Sequence, residues 1–360
     1  MLTRALLAPD WHRPRVAGSG FITLDVTLGA GSAVTYSGIG GSTGNVLSIL
    51  AFFGWNSVPL IHLGRDRVGA AILREFSQLG ADMSHVRLER SLTTPLLYQF
   101  AVAPTESPRY SFTCPVCSRA RRFSEDLVNC GGDEFARSAA TSSVFFFDRI
   151  TAGTVGMAVA AREGGALVVF EPSSMGSDPV IFETAVRSAH VVKYSVDRIS
   201  ESLTGLLPSG FVEIQTLGAR GLRFRKHSLA PDWVDLPALR TSSVADTAGA
   251  GDWCTAGFLY ALFASDHGSN IHALTYNDIY RALRMGQAIA AISVGHIGAR
   301  GLMRASTPTA ALEMASTVLD DGFQMEWMGP TQTQVPFDHT CCENLAPGVR
   351  RLPARLLPAF

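Results

Sequence analysis

Short apolar runs alternate along this chain with longer stretches of mixed character, and in the middle the alternation is regular. Runs rich in β-branched and aromatic residues begin at Val144 (VFFFD), Ala166 (ALVVFEP), Ala189 (AHVVKYS) and Phe211 (FVEIQTLG), spaced 22, 23 and 22 residues apart. Between them lie stretches such as GTVGMAVAARE and DPVIFETAVRSA, which suit helices of about ten residues. A strand, a helix and short loops fill that period, so the spacing predicts βα units on a parallel sheet. The runs are apolar almost throughout, as strands covered on both faces are. They finish at Asp148, Glu171, Ser195 and Thr216, and a later extended run ends at Asp246. Open α/β sheets bind ligands outside the carboxyl ends of their strands, so this polar row marks a candidate site. Taken singly, each of these residues also looks like an ordinary loop start.

The N-terminal part alternates more loosely. RVAGSGFITLDVTL, PLLYQFAV and RYSFT predict a small β lid, drawn from about residues 15–36 and 94–122, beside the main sheet. STGNVLSILAFFGW and RVGAAILREFSQLG predict helices, the second stopping at Gly80. After Arg304 the rhythm ends. Residues 305–360, closing on a tail rich in proline and polar residues, predict an irregular C-terminal extension to a domain of residues 1–304. The expected class is α/β, with a central, mostly parallel sheet flanked by helices.

Composition narrows the partners. The 360 residues are 47% hydrophobic and 17% charged, enough for a large core. A formal net charge of −1 gives no general reason to expect nucleic acid or an anionic membrane, and no basic stripe is interleaved with aromatics. No apolar run approaches the ~18 residues of a membrane helix. The first residues carry too short an apolar patch for a signal peptide, and the expectation is a soluble cytoplasmic protein. Six cysteines are too few for a disulfide scaffold.

The stretch VADTAGAGDWCTAGFLYALF (244–263) carries the chemistry. Trp253, Ala256, Gly257, Tyr260 and Phe263 fall at helical spacing. Gly249, Ala250 and Gly251 then form the helix start, where backbone N–H groups lack partners and a partial positive charge accumulates. Small residues let an anion approach those groups. A carboxylate, Asp252, held beside an anion hole is suited to accept the proton of a hydroxyl that attacks a phosphoryl group. Taken alone, the same glycines also suit a turn that packs a helix tightly on a strand.

The seven residues DTAGAGD (246–252) resemble the C-terminal signature of the PfkB/ribokinase family of carbohydrate kinases, and other segments agree in order. GFITLD (20–25) is similar to the family's first strand, whose aspartate, here Asp25, binds substrate hydroxyls. GGSTGN (40–45) resembles its G-G-x-x-x-N motif, placing Gly40, Gly41 and Asn45 at the substrate. LGRDRVG (63–69) resembles the G-x-D-x-x-G turn. TLGARG (216–221) resembles the nucleotide-site turn, placing Thr216, Gly218 and Gly221 there. GHIGARGLM follows the last long helix as the family's Gly-Ala segment does. The resemblance covers about residues 15–304. It implies a Rossmann-like domain with a small β lid, and transfer of the γ-phosphoryl group of ATP, with Mg2+, to a small polyhydroxylated substrate. That substrate is a sugar or sugar acid, with a nucleoside as the alternative. The resemblance makes Asp252 the base and the amides of Gly249, Ala250 and Gly251 the anion hole. It puts a monovalent cation such as K+ at Asp246 and permits a homodimer through lid strands. No G-x-x-x-x-G-K-[ST] is present, so the P-loop is not the device.

Departures from the family pattern are specific. Where its N-x-x-E motif is expected, Ser195 replaces Asn and Arg198 stands for Glu, with Asp197 adjacent. The acidic D-P-N becomes EPSS (171–174), and bulky Trp253 follows the aspartate. These changes also allow a ligand-binding member with weakened catalysis. Cys114 and Cys117, in FTCPVCSRARRF, form half of a tetrahedral zinc site, which Cys341 and Cys342 could complete, with Cys130 or His339 as substitutes; unligated thiols are the alternative. Arg119, Arg121 and Arg122 either reach a phosphate or lie as a solvated cluster. His62, His85, His190 and His296 follow no metal-ligand spacing and read as structural.

Overall fold

The computed structural model describes residues 13–320 apart from 29–33, 101–108, 130, 201–202, 204, 207–209, 227–229, 242, 265–269 and 271–272. Strand β1 (Arg15–Ser19) opens the main sheet. β2 (Thr23–Leu28) and β3 (Val34–Gly40) leave it for the lid, and helix α1 (Ser42–Phe52) returns the chain to β4 (Asn56–Pro59). A parallel pair, β5 (Ile61–Gly64) and β6 (Val86–Glu89), brackets α2 (Arg67–Gln78). β7 (Leu96–Phe100) and β8 (Arg109–Ser111) complete the lid. The βα rhythm follows as α3 (Gly132–Ala140), β9 (Val144–Phe147), α4 (Ala152–Glu163), β10 (Leu167–Phe170), α5 (Pro179–Ser188) and β11 (Val191–Ser195). β12 (Val212–Thr216) runs into an antiparallel hairpin, β13 (Gly221–Lys226) and β14 (Ala230–Pro237). Helices α6 (Ala250–Phe263), α7 (Tyr276–Ser293) and α8 (Pro308–Asp320) close the domain.

The main sheet has the order β14-β13-β12-β11-β10-β9-β1-β4. It is parallel from β4 to β12 and antiparallel at the β13–β14 edge. Successive side chains point to opposite faces, and both faces are dry. Phe146, Val169, Val191 and Ile214 join one buried cluster with α1, α6, α7 and α8. Phe145, Phe147, Val168, Phe170 and Val192 join another, under α3, α4 and α5. Phe147 stacks on Phe170 at 4.4 Å between ring centroids. Helix starts are written locally: Thr151 and Thr154 form a reciprocal capping box, and Asp178 caps α5 with Pro179 behind it.

The lid sheet has the order β3-β2-β7-β8. Leu24, Val26, Ile39, Leu96 and Tyr98 face the core with α2. The opposite face of the same strands carries Asp25, Thr27, Tyr36 and Gln99.

Three sequence expectations change here. The lid does not begin at residue 15: β1 lies inside the main sheet, between β9 and β4, because Val16 and Ala17 are fully buried and Gly18 leaves room for Leu47. Residues 305–360 are not irregular from their start. Ala311, Leu312, Ala315 and Val318 repeat at helical spacing and pack α8 against the core, while residues 321–360 lie outside the described residues. The run ending at Asp246 is not a strand, since the β13–β14 hairpin already closes that sheet edge and residues 244–248 form the loop into α6.

Candidate active site

Helix α6 begins where the polar strand ends converge. Gly249 is its N-cap in the left-handed conformation, with φ at 77°. A Cβ there would also sit 2.4 Å from the Ala299 side chain, so glycine is required twice over. The Ala250 N–H bonds the Thr247 carbonyl (3.3 Å). The N–H groups of Gly249, Gly251 and Asp252 have no partner among the described residues. One member of the expected trio is therefore exchanged: Ala250 is used by the turn, and Asp252 joins Gly249 and Gly251. Gly251 is exposed, and a Cβ on it would meet only Lys193 Nζ at 3.7 Å. Nothing in the packing requires glycine there, so its value lies in leaving space in front of the helix.

The rest of α6 is buried on all sides through Leu262. It crosses α7 closely because Gly257 meets Gly286. Trp253 turns away from the site: it is fully buried, edge-on to Phe52 and Phe53, and its indole N–H donates to the Ala299 carbonyl (2.7 Å). The bulky residue therefore does not obstruct the helix start.

Asp252 is buried, at 9% exposure, among polar groups. Its Oδ2 accepts from Asn45 Nδ2 (2.7 Å), and its Oδ1 has no partner among the described residues. Burial, then the charge of Glu171, pushes its pKa up to about 8; the Asn45 bond and Lys193 act the other way. Lys193 pairs with Glu171 (2.9 Å) and donates to the Gly251 carbonyl (3.1 Å). Burial by itself would lower this lysine, yet the Glu171 charge and hydrogen bond raise it.

The residues expected at the substrate sit against the lid. Asp25 points across β3, where Gly40 makes room for its carboxylate: a Cβ on Gly40 would lie 1.9 Å from it. Gly41 caps α1 with a positive φ of 77° and faces the Phe21 carbonyl. Burial pushes Asp25 up to about 7, against the pull of Arg300. Asp25 Oδ1 and Asn45 Oδ1 are buried without hydrogen-bond partners. Such orphaned acceptors are costly unless a ligand satisfies them. Arg300, itself buried, donates to the Ile39 carbonyl and Ser48 and pairs with Glu75, tying the 296–304 segment to the lid base. Tyr110 stands opposite Gln99 in the β7–β8 register. The residue is 48% exposed, and this register puts it on the lid face that carries Asp25 and Gln99.

Asp246, where the resemblance puts a cation, is held by N–H donors. Its Oδ2 accepts from Gln99 Nε2 (2.8 Å) and Gly298 N (2.9 Å), and its Oδ1 accepts from Ala248 N (2.9 Å). Three N–H donors leave this carboxylate about one of its four acceptor sites. Thr216 ends β12 beside Ser195, and Gly218 follows at φ 60°. Gly221 is required by the hairpin, since a Cβ would lie 2.2 Å from the Leu236 carbonyl. Arg198 is exposed just past β11.

Other candidates are engaged by the fold. Asp148 ends β9 but accepts from Phe21 N and Thr43 Oγ1 and pairs with Arg149. Arg121 pairs with Asp66, the N-cap of α2, and donates to the Thr94 carbonyl. Cys114 is buried in the core and Cys117 is exposed; Cys130, His339, Cys341 and Cys342 lie outside the described residues. Among the described residues no three His, Cys, Asp or Glu side chains gather as a metal site. None of their helices is long and apolar enough to cross a membrane.

Sequence reasoning missed Lys193, Thr255, Gln99, Tyr110 and Arg300. Lys193 and Gln99 sit within strands, where alternation alone marks only a face. Arg300 lies in view inside GARG, without a hint of its burial.

Residues 195–305 match the model of the pfkB family carbohydrate kinase. No curated protein matches the sequence. The fold is similar to that of aminoimidazole riboside kinase from Salmonella enterica, solved with aminoimidazole riboside and an ATP analogue. The two share 20% identity and a TM-score of 0.63, over 84% of this chain and 99% of that one. Fructokinase from Xylella fastidiosa, solved with bound ATP, is 17% identical with a TM-score of 0.63, over 85% and 98%. Ribokinase from Giardia lamblia is 16% identical with a TM-score of 0.65, over 86% and 99%.

Proposed function

We propose that this chain, a ribokinase-type fold carrying a PfkB-family carbohydrate-kinase domain, transfers the γ-phosphoryl group of ATP to a hydroxyl of a small sugar or sugar acid. The observation that carries the reading is the half-satisfied carboxylate of Asp252 beside three open backbone N–H groups at an exposed helix start. Asp25 and Asn45 grip acceptor hydroxyls through the oxygens that the fold leaves unpaired. The acceptor's reactive hydroxyl donates to Asp252 Oδ1. As that proton passes to the carboxylate, the hydroxyl oxygen attacks the γ-phosphorus, the bond to the β–γ bridging oxygen breaks, and ADP leaves. The N–H groups of Gly249, Gly251 and Asp252 receive the charge on the transferring group. Thr216 and Gly218 line the nucleotide side.

Mg2+ is ordinarily held by substrate phosphates with one or two carboxylates rather than by a protein cage. That suits a site without a three-ligand cluster among its described residues, and no step above passes through the metal. When bound with ATP it would neutralise phosphate charge.

Tyr110 favours a second acceptor class within the same chemistry. An exposed aromatic ring on the lid face that carries Asp25 and Gln99 suits a nucleoside base as well as a sugar ring. ADP release from ATP over a panel of sugars, sugar acids and nucleosides separates the readings. Acceptor-stimulated release that disappears in Asp252→Asn supports the kinase and names its substrate. Tight acceptor binding with no release in either protein identifies a ligand-binding member instead.

A further inference from the structure

One buried ion pair touches neither acceptor nor ATP in the proposed transfer, although both its charges act on Asp252. Lys193 and Glu171 lie beneath the start of α6, with side chains 7% and 10% exposed. Replacing such a pair with apolar residues is often neutral or stabilising, so packing is a poor reason for its presence. Its connections point elsewhere. Lys193 Nζ donates both to Glu171 Oε2 and to the Gly251 carbonyl. The Thr255 hydroxyl, one turn further along, lies between Glu171 Oε1 and the same carbonyl (3.2 Å). Two side chains, one from β11 and one from α6 itself, thus converge on one backbone oxygen.

The peptide unit that contains the Gly251 oxygen also contains the Asp252 nitrogen. A peptide unit is planar and trans, so its C=O and N–H point in opposite directions. Holding the oxygen below the helix fixes the aim of the Asp252 N–H above it, and that N–H has no partner among the described residues. A cation on the oxygen also polarises the unit and strengthens the N–H as a donor. Glu171 balances the lysine charge and, through Thr255, ties the pair to the helix that it orients.

We propose that Lys193, held by Glu171 and Thr255, is a positioning residue that aims and polarises the Gly251–Asp252 peptide toward the transferring phosphoryl group. The proposal rests on the kinase reading but is testable apart from it. Lys193→Met alone leaves Glu171 buried and unpaired and is at risk of misfolding. The informative variant is Lys193→Met combined with Glu171→Gln, which removes both charges and keeps an acceptor for Thr255. With the panel's best acceptor, kcat falls about 10- to 100-fold while KM for acceptor and ATP stays within about threefold. Lys193→Arg, which restores a donor, recovers part of the loss. A kcat within about twofold of wild type in the double variant overturns the role.

The second readout does not need turnover: the Asp252 amide resonance of 15N-labelled protein, titrated with sodium sulfate. Wild type shifts saturably, and the double variant shifts with at least about fivefold weaker affinity. Equal shifts in both proteins, or none in wild type, overturn the positioning role. A shift lost only in the double variant, in a protein that phosphorylates nothing, keeps the positioning role and rejects the kinase.

Discussion

The stretch 246–252 begins and ends on aspartate, and the structure treats the two differently. Asp246 is covered by three N–H donors, from Gln99 in the lid, Gly298 behind it and Ala248 beside it. Asp252 receives one, from Asn45, and is otherwise left among like charges in a dry setting that pushes it up to about 8. The same side chain, six positions apart, is a structural knot in one place and, on the proposed reading, a proton acceptor in the other. Residue type does not separate them; the number of donors that the fold delivers to each does. Asp246 holds the lid strand β7 to the loop before α6. Asp252 keeps one oxygen without a partner among the described residues.

Breaking the reactive end has the largest effect. Asp252→Asn lowers kcat/KM by about 10²–10⁴-fold, measured by ADP release. It also stabilises the fold. In wild type the folded carboxyl holds its proton up to about 8, against 3.8 as the ordinary value. Its contribution to stability is present at low pH and is lost as pH rises through that interval. Asparagine does not ionise, so the Tm gain of Asp252→Asn grows from about pH 4 to about pH 8 and then levels off. A gain that shrinks over that range contradicts the assignment. Asp25→Asn comes next, raising acceptor KM about 10- to 100-fold through loss of a charged hydrogen-bond acceptor, with kcat changing less. At the structural end, Gln99→Leu removes one of three donors from Asp246. It lowers stability by about 1–3 kcal/mol, read by denaturant unfolding, with a smaller effect on turnover than either aspartate change. The smallest effect sharpens the comparison most: replacing K+ by Na+ leaves kcat within about twofold, as expected if Asp246 serves to hold the lid to the loop before α6. Strong K+ activation would show that Asp246 exchanges Gln99 for an ion.

Much of this is legible in the sequence. The 22-residue rhythm marks the parallel core, because strands dry on both faces leave continuous apolar runs that turns must interrupt. The glycines at 249 and 251 flag the helix start, and the motifs around Asp25 and Asn45 point to the substrate side. What the sequence hides has a physical pattern. β1 reads as lid because VAGS carries too little bulk to look like a central strand, although small residues are what a crowded centre under Leu47 admits. α8 is masked by the tail that follows it, whose composition swamps a short helical spacing. The partnerships of Asp246, Lys193 and Arg300 are invisible because each joins segments far apart in the chain: Gln99 is 147 residues from Asp246, and Lys193 is 58 from Gly251. Sequence spacing carries local rules, and hydrogen bonds between distant segments obey none of them.

The most direct test of the account is the dependence of kcat/KM for the acceptor on pH between 5.5 and 9.5, with ATP saturating. The base must be ionised in the ATP-bound protein, so the profile should climb about tenfold per pH unit just below pH 8, more steeply below about pH 7 where Asp25 also takes up a proton, and level off near pH 8. A profile flat from 6 to 9, in an otherwise active enzyme, would mean that Asp252 is not the group that takes the proton.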